Sequence, residues 1–373
     1  MERAPRDPRA APWRSHPRRR IAKRAARRKA QGVLYHPRPT KSIANSHLAK
    51  PKETPENRVP LRAARAFWYH PPMRAAIEDA ATPPAPAAAD LNLCSPKEVS
   101  AFLRARGIRP SKALGQNFLV DRNVLARIVE ASGVAPGTGV LEVGAGLGVL
   151  TSALLAAGAR VTAVEKDPAL QPILRERFGA QPDFELVCGD ALALDFAALF
   201  AAGRTHLVSN LPYSVGSRVV VEAATCAHPP ERMALLLQKE VCERFAAPEG
   251  SPERGAASVW LQRLYDVRIA RDVAPSCFVP RPEVVSSVLV LSRHARHPLD
   301  PAADALFRAL SKAAFLHRRK QLAASLHDAG ALSRPPEFVR AALAAAGAPE
   351  TARPGELSVA QWIALSQQWS QPC

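Results

Sequence analysis

Cysteine is scarce in this 373-residue chain. Its six thiols, Cys94, Cys188, Cys226, Cys242, Cys277 and Cys373, are scattered with no Cys-x-x-Cys pair. That argues against a disulfide framework and a zinc site, and points to reduced thiols in a cytosol-like compartment. The ten histidines show no ligand spacing either, so no metal is expected. Long hydrophobic runs are also missing. The uncharged stretch at residues 143–159 is too short and too glycine-rich to span a membrane, and no secretory apolar region follows the amino terminus. Acidic residues are rare in one place. Residues 1–72 hold 19 Lys/Arg against 4 Asp/Glu, leaving 32 against 29 in the other 301 positions. The high isoelectric point thus belongs mostly to the amino-terminal segment and is no argument by itself for nucleic acid.

That segment is rich in Arg and Pro and poor in apolar periodicity, so residues 1–92 read as a basic, Pro/Ala-rich disordered extension, with 82–89 a linker. Three origins compete for residues 1–72: an RNA-binding arm, an organelle transit peptide, or leader sequence ahead of a start at Met73. The short ordinary-looking leader after Met73 favours the third. A transit peptide would place the protein in an organelle instead of the cytoplasm.

What is present centres on residues 140–165, VLEVGAGLGVLTSALLAAGARVTAVE. An apolar run meets glycines at Gly144, Gly146 and Gly148. A helical pattern follows, then a second apolar run that stops at Glu165. Strand, glycine turn, helix, strand and carboxylate form the first half of a doubly wound nucleotide-binding sheet. Glycine permits the sharp turn and close ligand approach. Glu165, at the second strand's tip, can accept both hydroxyls of a ribose. The spacing Gly-x-Gly-x-Gly fits a dinucleotide fingerprint poorly, so an adenosyl ligand without phosphates is the better match. The plainer alternative is a turn that only packs helix on strand.

Alternating β and α patterns continue to a β-branched run at residues 284–291, predicting a mostly parallel α/β sheet over residues 93–298. Residues 299–373 turn all helical and read as a small second domain. Gly144, Glu165, Asp190 and Asn210 each close a successive strand and therefore share one rim, where such sheets bind ligands. Asn210-Leu211-Pro212-Tyr213 adds chemistry. The exocyclic amine of adenine is a weak nucleophile because its lone pair is delocalised into the ring. The Asn210 side-chain oxygen and the Leu211 carbonyl can accept both amine hydrogens and turn that lone pair outward. Pro212 fixes the backbone, and Tyr213 offers a face on which a flipped base stacks. Read alone, the segment is equally a β-turn with a core tyrosine. No general base is required.

GQNFL (115–119), EVGAGLGVLT (142–151), VEKD (164–167), GDAL (189–192), NLPY (210–213), LQKEV (237–241), PSCFVPRPEVVSSV (275–288), AFLHRRKQL (314–322) and ELSVAQW (356–362) occur in this order. With them the chain resembles the ribosomal RNA adenine N6-dimethyltransferases of the small-subunit kind, across about residues 106–368. The resemblance implies a Rossmann-like S-adenosylmethionine-dependent methyltransferase sheet with a small carboxy-terminal helical domain. It implies S-adenosylmethionine as donor, and as acceptors two adjacent adenines near the 3′ end of small-subunit rRNA, each dimethylated. By motif, Asn117 and Leu119 close over the methionine part, Gly144 lies against the cofactor, Glu165 holds the ribose and Asp190 the adenine amine. Asn210 sits between donor and target, and Tyr213 and Phe278 sandwich the target base. A monomer is expected.

Two departures stand out. The family usually has Asp where Val285 stands, and often Gly-Arg-Leu-Ser where this chain has Gly-Ala-Ala-Ser at residues 255–258. Both bear on substrate detail more than on chemistry. His317, Arg318, Arg319 and Lys320 read as part of a helix whose cations contact rRNA phosphate, or as a solvated face. Two further functions compete: a large-subunit rRNA adenine methylase conferring antibiotic resistance, disfavoured by LQKEV and residues 275–288, and a non-catalytic assembly factor of the same fold. A DNA adenine methylase is disfavoured because Leu211 replaces the first proline of its usual turn.

Overall fold

The computed structural model describes residue 88 and residues 91–370. The basic extension, the linker and the start at Met73 lie outside these residues, apart from the last positions before the sheet domain. The described residues fall in one compact unit, residues 79–373.

Among the described residues, nine strands occur in chain order: β1 (Phe118–Leu119), β2 (Gly139–Val143), β3 (Arg160–Glu165), β4 (Phe184–Cys188), β5 (His206–Asn210), β6 (Arg232–Gln238), β7 (Tyr265–Val273), β8 (Phe278–Val279) and β9 (Ser286–Arg293). The helices among them are α1 (Pro96–Ala105), α2 (Arg122–Ser132), α3 (Val149–Ala156), α4 (Gln171–Phe178), α5 (Phe196–Ala201), α6 (Gly216–Thr225), α7 (Lys239–Ala246) and α8 (Ala256–Leu264). Seven strands form one sheet in the order β4-β3-β2-β5-β6-β9-β7. The first five run parallel, and β9 lies antiparallel between β6 and β7. The order reverses at β2, which creates the crevice where such sheets bind ligands.

Side chains alternate across the sheet with the strand period of two. On β9, Val288 and Val290 join the core under α2, α3 and α4. Leu289 and Leu291 join the core under α5, α6, α7 and α8. β9 is apolar at every position from 288 to 291 because both of its faces are covered. α1 is capped by Ser95, which accepts the Glu98 amide, and α2 by Asp121, which accepts the Val124 amide. α6 starts after Val215 with no side-chain cap, and the Ser214 hydroxyl donates to the Leu114 carbonyl instead.

Four helices follow: α9 (Pro301–Phe315), α10 (Leu322–His327), α11 (Pro336–Ala345) and α12 (Val359–Trp369). They share their own core around the fully buried Trp362, extended by Val259 of α8. Arg263 of α8 pairs with Asp304 of α9 at 2.5 Å, both nearly buried, and Trp260 donates to Ser311 at 2.8 Å. Arg318, Arg319 and Lys320 are not helical as expected. α9 ends at Phe315 and α10 begins at Leu322, so the cations sit exposed in the turn between them.

Candidate active site

Three loops meet where the parallel strands end, and glycine is what lets them meet. Gly144 follows β2 with φ +75°, and a Cβ there would come within 2.9 Å of the Pro212 ring. Gly115 has φ +69°, and its Cβ would fall 2.9 Å from the Tyr213 amide nitrogen. The segment at 115–119 and the segment at 210–213 are thus packed together, with the glycine turn against them. β1 pairs with β8, Leu119 opposite Phe278, and the Val120 amide bonds the Cys277 carbonyl at 2.8 Å. That ribbon ties residues 115–119 to residues 275–279.

A cavity of about 220 Å³ lies among these loops. Its wall includes Asn117, Leu119, Gly144, Glu165, Asp190, Asn210, Leu211, Pro212 and Tyr213. Nine of the ten residues singled out from the sequence therefore face one space, although they come from positions 117 to 213. The tenth, Phe278, does not line the cavity. It is 1% exposed and packs in the core beneath the sheet rim, beside Leu119.

The side chains are held in defined orientations. Asn210 donates through Nδ2 to the Asn117 carbonyl at 3.0 Å. This leaves its Oδ1, an acceptor, for other partners. Asn117 donates in turn to the Gly115 carbonyl. Leu211 is buried, with its amide on the Leu236 carbonyl of β6 at 3.1 Å. The Tyr213 hydroxyl is tethered to Ser286 Oγ, and burial pushes its pKa up.

Glu165 is 6% exposed at the tip of β3. Its carboxylate accepts the Gly146 and Asp167 amides, both at 2.8 Å. Desolvation raises its pKa, partly offset by those amides. Asp190 is more open. It accepts the Leu192 amide at 3.0 Å and pairs with Lys166 at 2.8 Å, and the Lys166 contact holds its pKa low.

Two cavity residues escaped the reading of the sequence. Glu142 is buried inside β2 and accepts the Thr151 hydroxyl at 2.6 Å. Burial pushes its carboxyl up to about 8, with Glu165 adding repulsion. An acid inside an otherwise apolar strand was the available signal. Lys166 spans from β3 to Asp190, a placement that only the register of β3 and β4 creates. The cavity thus collects three carboxyl groups and one ammonium. That donor set suits a ligand with hydroxyls, amines and positive charge, and no metal-ligand cluster occurs among the described residues.

Residues 108–366 match the family model described as ribosomal RNA adenine dimethylase. The chain belongs to the ribosomal RNA adenine dimethylase family. Among relatives, it is 41% identical over 267 residues to the ribosomal RNA small subunit methyltransferase A of Phenylobacterium zucineum, covering 72% of this chain and 90% of that protein. It is 42% identical over 250 residues to the protein of the same name from Deinococcus radiodurans, covering 66% and 83%. Among solved structures it resembles the 23S rRNA methyltransferase ErmE, at 28% identity and TM-score 0.53, covering 68% of this chain and all of that one. A dimethyladenosine transferase from Plasmodium falciparum shares the fold at TM-score 0.55 and 21% identity, covering 66% and 95%. For a dimethylase the fold is the expected Rossmann-like methyltransferase sheet, and the chain is an enzyme of the methyltransferase class.

Proposed function

We propose that this dimethylase transfers methyl groups from S-adenosylmethionine to N6 of two adjacent adenines near the 3′ end of small-subunit rRNA during ribosome assembly. It acts in the cytoplasm as a monomer. The observation that carries the reading is Asn210: its amide nitrogen is engaged by Asn117, which turns its oxygen free at the cavity where Leu211 and Tyr213 also stand. Relatives at 41–42% identity are named for the small subunit, whereas the likeness to a 23S enzyme is 28% identical. This favours the small-subunit substrate.

S-adenosylmethionine supplies an electrophilic methyl on a sulfonium. Glu165 would hold the ribose hydroxyls and Asp190 the adenine amine, and Asn117, Leu119 and Gly144 would enclose the rest. The glycine turn lets backbone come close without a Cβ in the way. Asn210 Oδ1 and the Leu211 carbonyl accept the hydrogens of the target amine, which drives the nitrogen toward tetrahedral geometry and aims its lone pair. Pro212 holds that carbonyl in direction. Tyr213 supplies the stacking face. Phe278, packed in the core, supports Leu119 from below, and it stacks on the base only if its ring leaves that packing. The methylated nitrogen sheds its proton to water or a backbone acceptor. Catalysis is then positioning and charge handling. Arg318, Arg319 and Lys320, exposed in one turn, would bind rRNA phosphate.

Transfer of labelled methyl from S-adenosylmethionine to immature small subunits tests the reading. The wild-type protein labels them, and Asn210→Ala lowers the rate by on the order of 10²–10³ while still binding the donor. Equal labelling by the two would remove Asn210 from the mechanism.

A further inference from the structure

A second cluster of charge lies away from the cavity, on the open edge of the sheet. β7 is the edge strand, and its residues from Arg268 to Asp272 are exposed. In a regular strand, positions 268 and 271 point to opposite faces, because the separation is odd. Here they do not. A bulge between Ile269 and Arg271 shifts the register, so that Arg268 stands opposite Val290 and Arg271 opposite Val288. Val288 and Val290 both face the core under α2. The inserted residue thus brings both guanidinium groups to the α2 side, a known use of bulges.

There they meet α2. A groove of about 530 Å³ is lined by Arg268, Arg271, Arg127, Arg232 and Glu130, floored by Val288. It continues toward the start of α2, past Asn123. Arg127 is paired with Glu130 and Arg232 donates to the Ala131 carbonyl. The side chains of Arg268 and Arg271 have no ion pair or hydrogen bond among the described residues. Four guanidinium groups thus face one carboxylate. Edge-strand cations do discourage sheet-to-sheet pairing, but that role needs no bulge and no shared groove.

The groove is also well placed. β7 ends at Val273, and residues 275–279 lead to the ribbon that holds residues 115–119 at the cavity. α2 starts beside Cys277, whose thiol contacts Asp121. The groove therefore descends from the rim on the α2 face of the sheet, whereas the helical layer of α9 to α12 packs on α8, which covers the other face.

We propose that this arginine groove binds the phosphate backbone of the rRNA flanking the target adenines. It gives the enzyme a second hold on RNA, across the sheet from the turn at residues 318–320. The proposal rests on the rRNA methyltransferase reading. Its arginines act as positioning residues, because they do not reach the reacting atoms.

The test uses the full-length protein and naked small-subunit rRNA as the probe. Binding is measured against salt for wild type, Arg268→Ala/Arg271→Ala and Arg268→Lys/Arg271→Lys. The alanine pair lowers the slope of log affinity on log salt by about 2, roughly one for each phosphate no longer neutralised. The lysine pair keeps most of the slope, since a point charge still neutralises phosphate. With immature small subunits, the alanine pair raises KM about tenfold with kcat within about twofold. An unchanged salt slope overturns the proposal. So does a raised KM with an unchanged slope, which would assign the groove to a ribosomal protein. If wild type itself fails to methylate the subunits, the functional reading falls, and the salt slope on naked rRNA still decides the groove.

Discussion

Tyr213 and Glu142 do opposite things at the same cavity, and each can be changed singly. Tyr213 presents an aromatic face while Ser286 holds its hydroxyl. Tyr213→Ala should raise KM for small subunits by roughly tenfold or more, in line with about 1–3 kcal/mol of base stacking. Tyr213→Phe keeps the ring and should stay within about threefold. Steady-state methylation kinetics separate the two. Glu142 carries no proposed chemical role, and its signature is in stability. Its carboxyl moves from 4.5 up to about 8 in the fold. The folded state therefore holds a proton that the unfolded chain releases earlier. Between about 4.5 and 8 the unfolded state binds fewer protons, so stability falls as pH rises, by at most ~1.4 kcal/mol per pH unit. Glu142→Gln keeps the shape without the charge. It should flatten that fall and be more stable than wild type near pH 8, with the two equal below about pH 4.5. Urea midpoints across this range measure it.

At the scale of elements, the glycine turn is a joint between β2 and the 210–213 loop. Gly144→Ala meets two penalties, a left-handed φ of +75° and a clash with the Pro212 ring. It should cost about 1–2 kcal/mol of stability and weaken donor binding at least tenfold, read by thermal melting and calorimetry. The strand ends were legible in the sequence because acids and glycines interrupt apolar runs there, and β3, β4 and β5 put Glu165, Asp190 and Asn210 on one rim as that pattern demanded. Other elements were not. Nothing local marks β9 as antiparallel, since a strand covered on both faces reads the same in either direction. Phe278 was assigned to the base by motif alone, and its burial depends on the β1–β8 pairing. The cations at 318–320 have helical neighbours on both sides, which hid the turn between them. The bulge in β7 has no glycine to announce it.

For the whole molecule, the proposed function and the proposed groove together would have the enzyme grip folded RNA through the turn at 318–320 and the edge strand, on both sides of the target base. The central claim concerns what is modified and where. Incubate immature small subunits with the protein and S-adenosylmethionine, digest the rRNA, and locate the methyl groups by mass spectrometry. The account predicts N6,N6-dimethyladenosine at two neighbouring positions near the 3′ end. Methylation confined to large-subunit rRNA, or to any atom other than adenine N6, would contradict it.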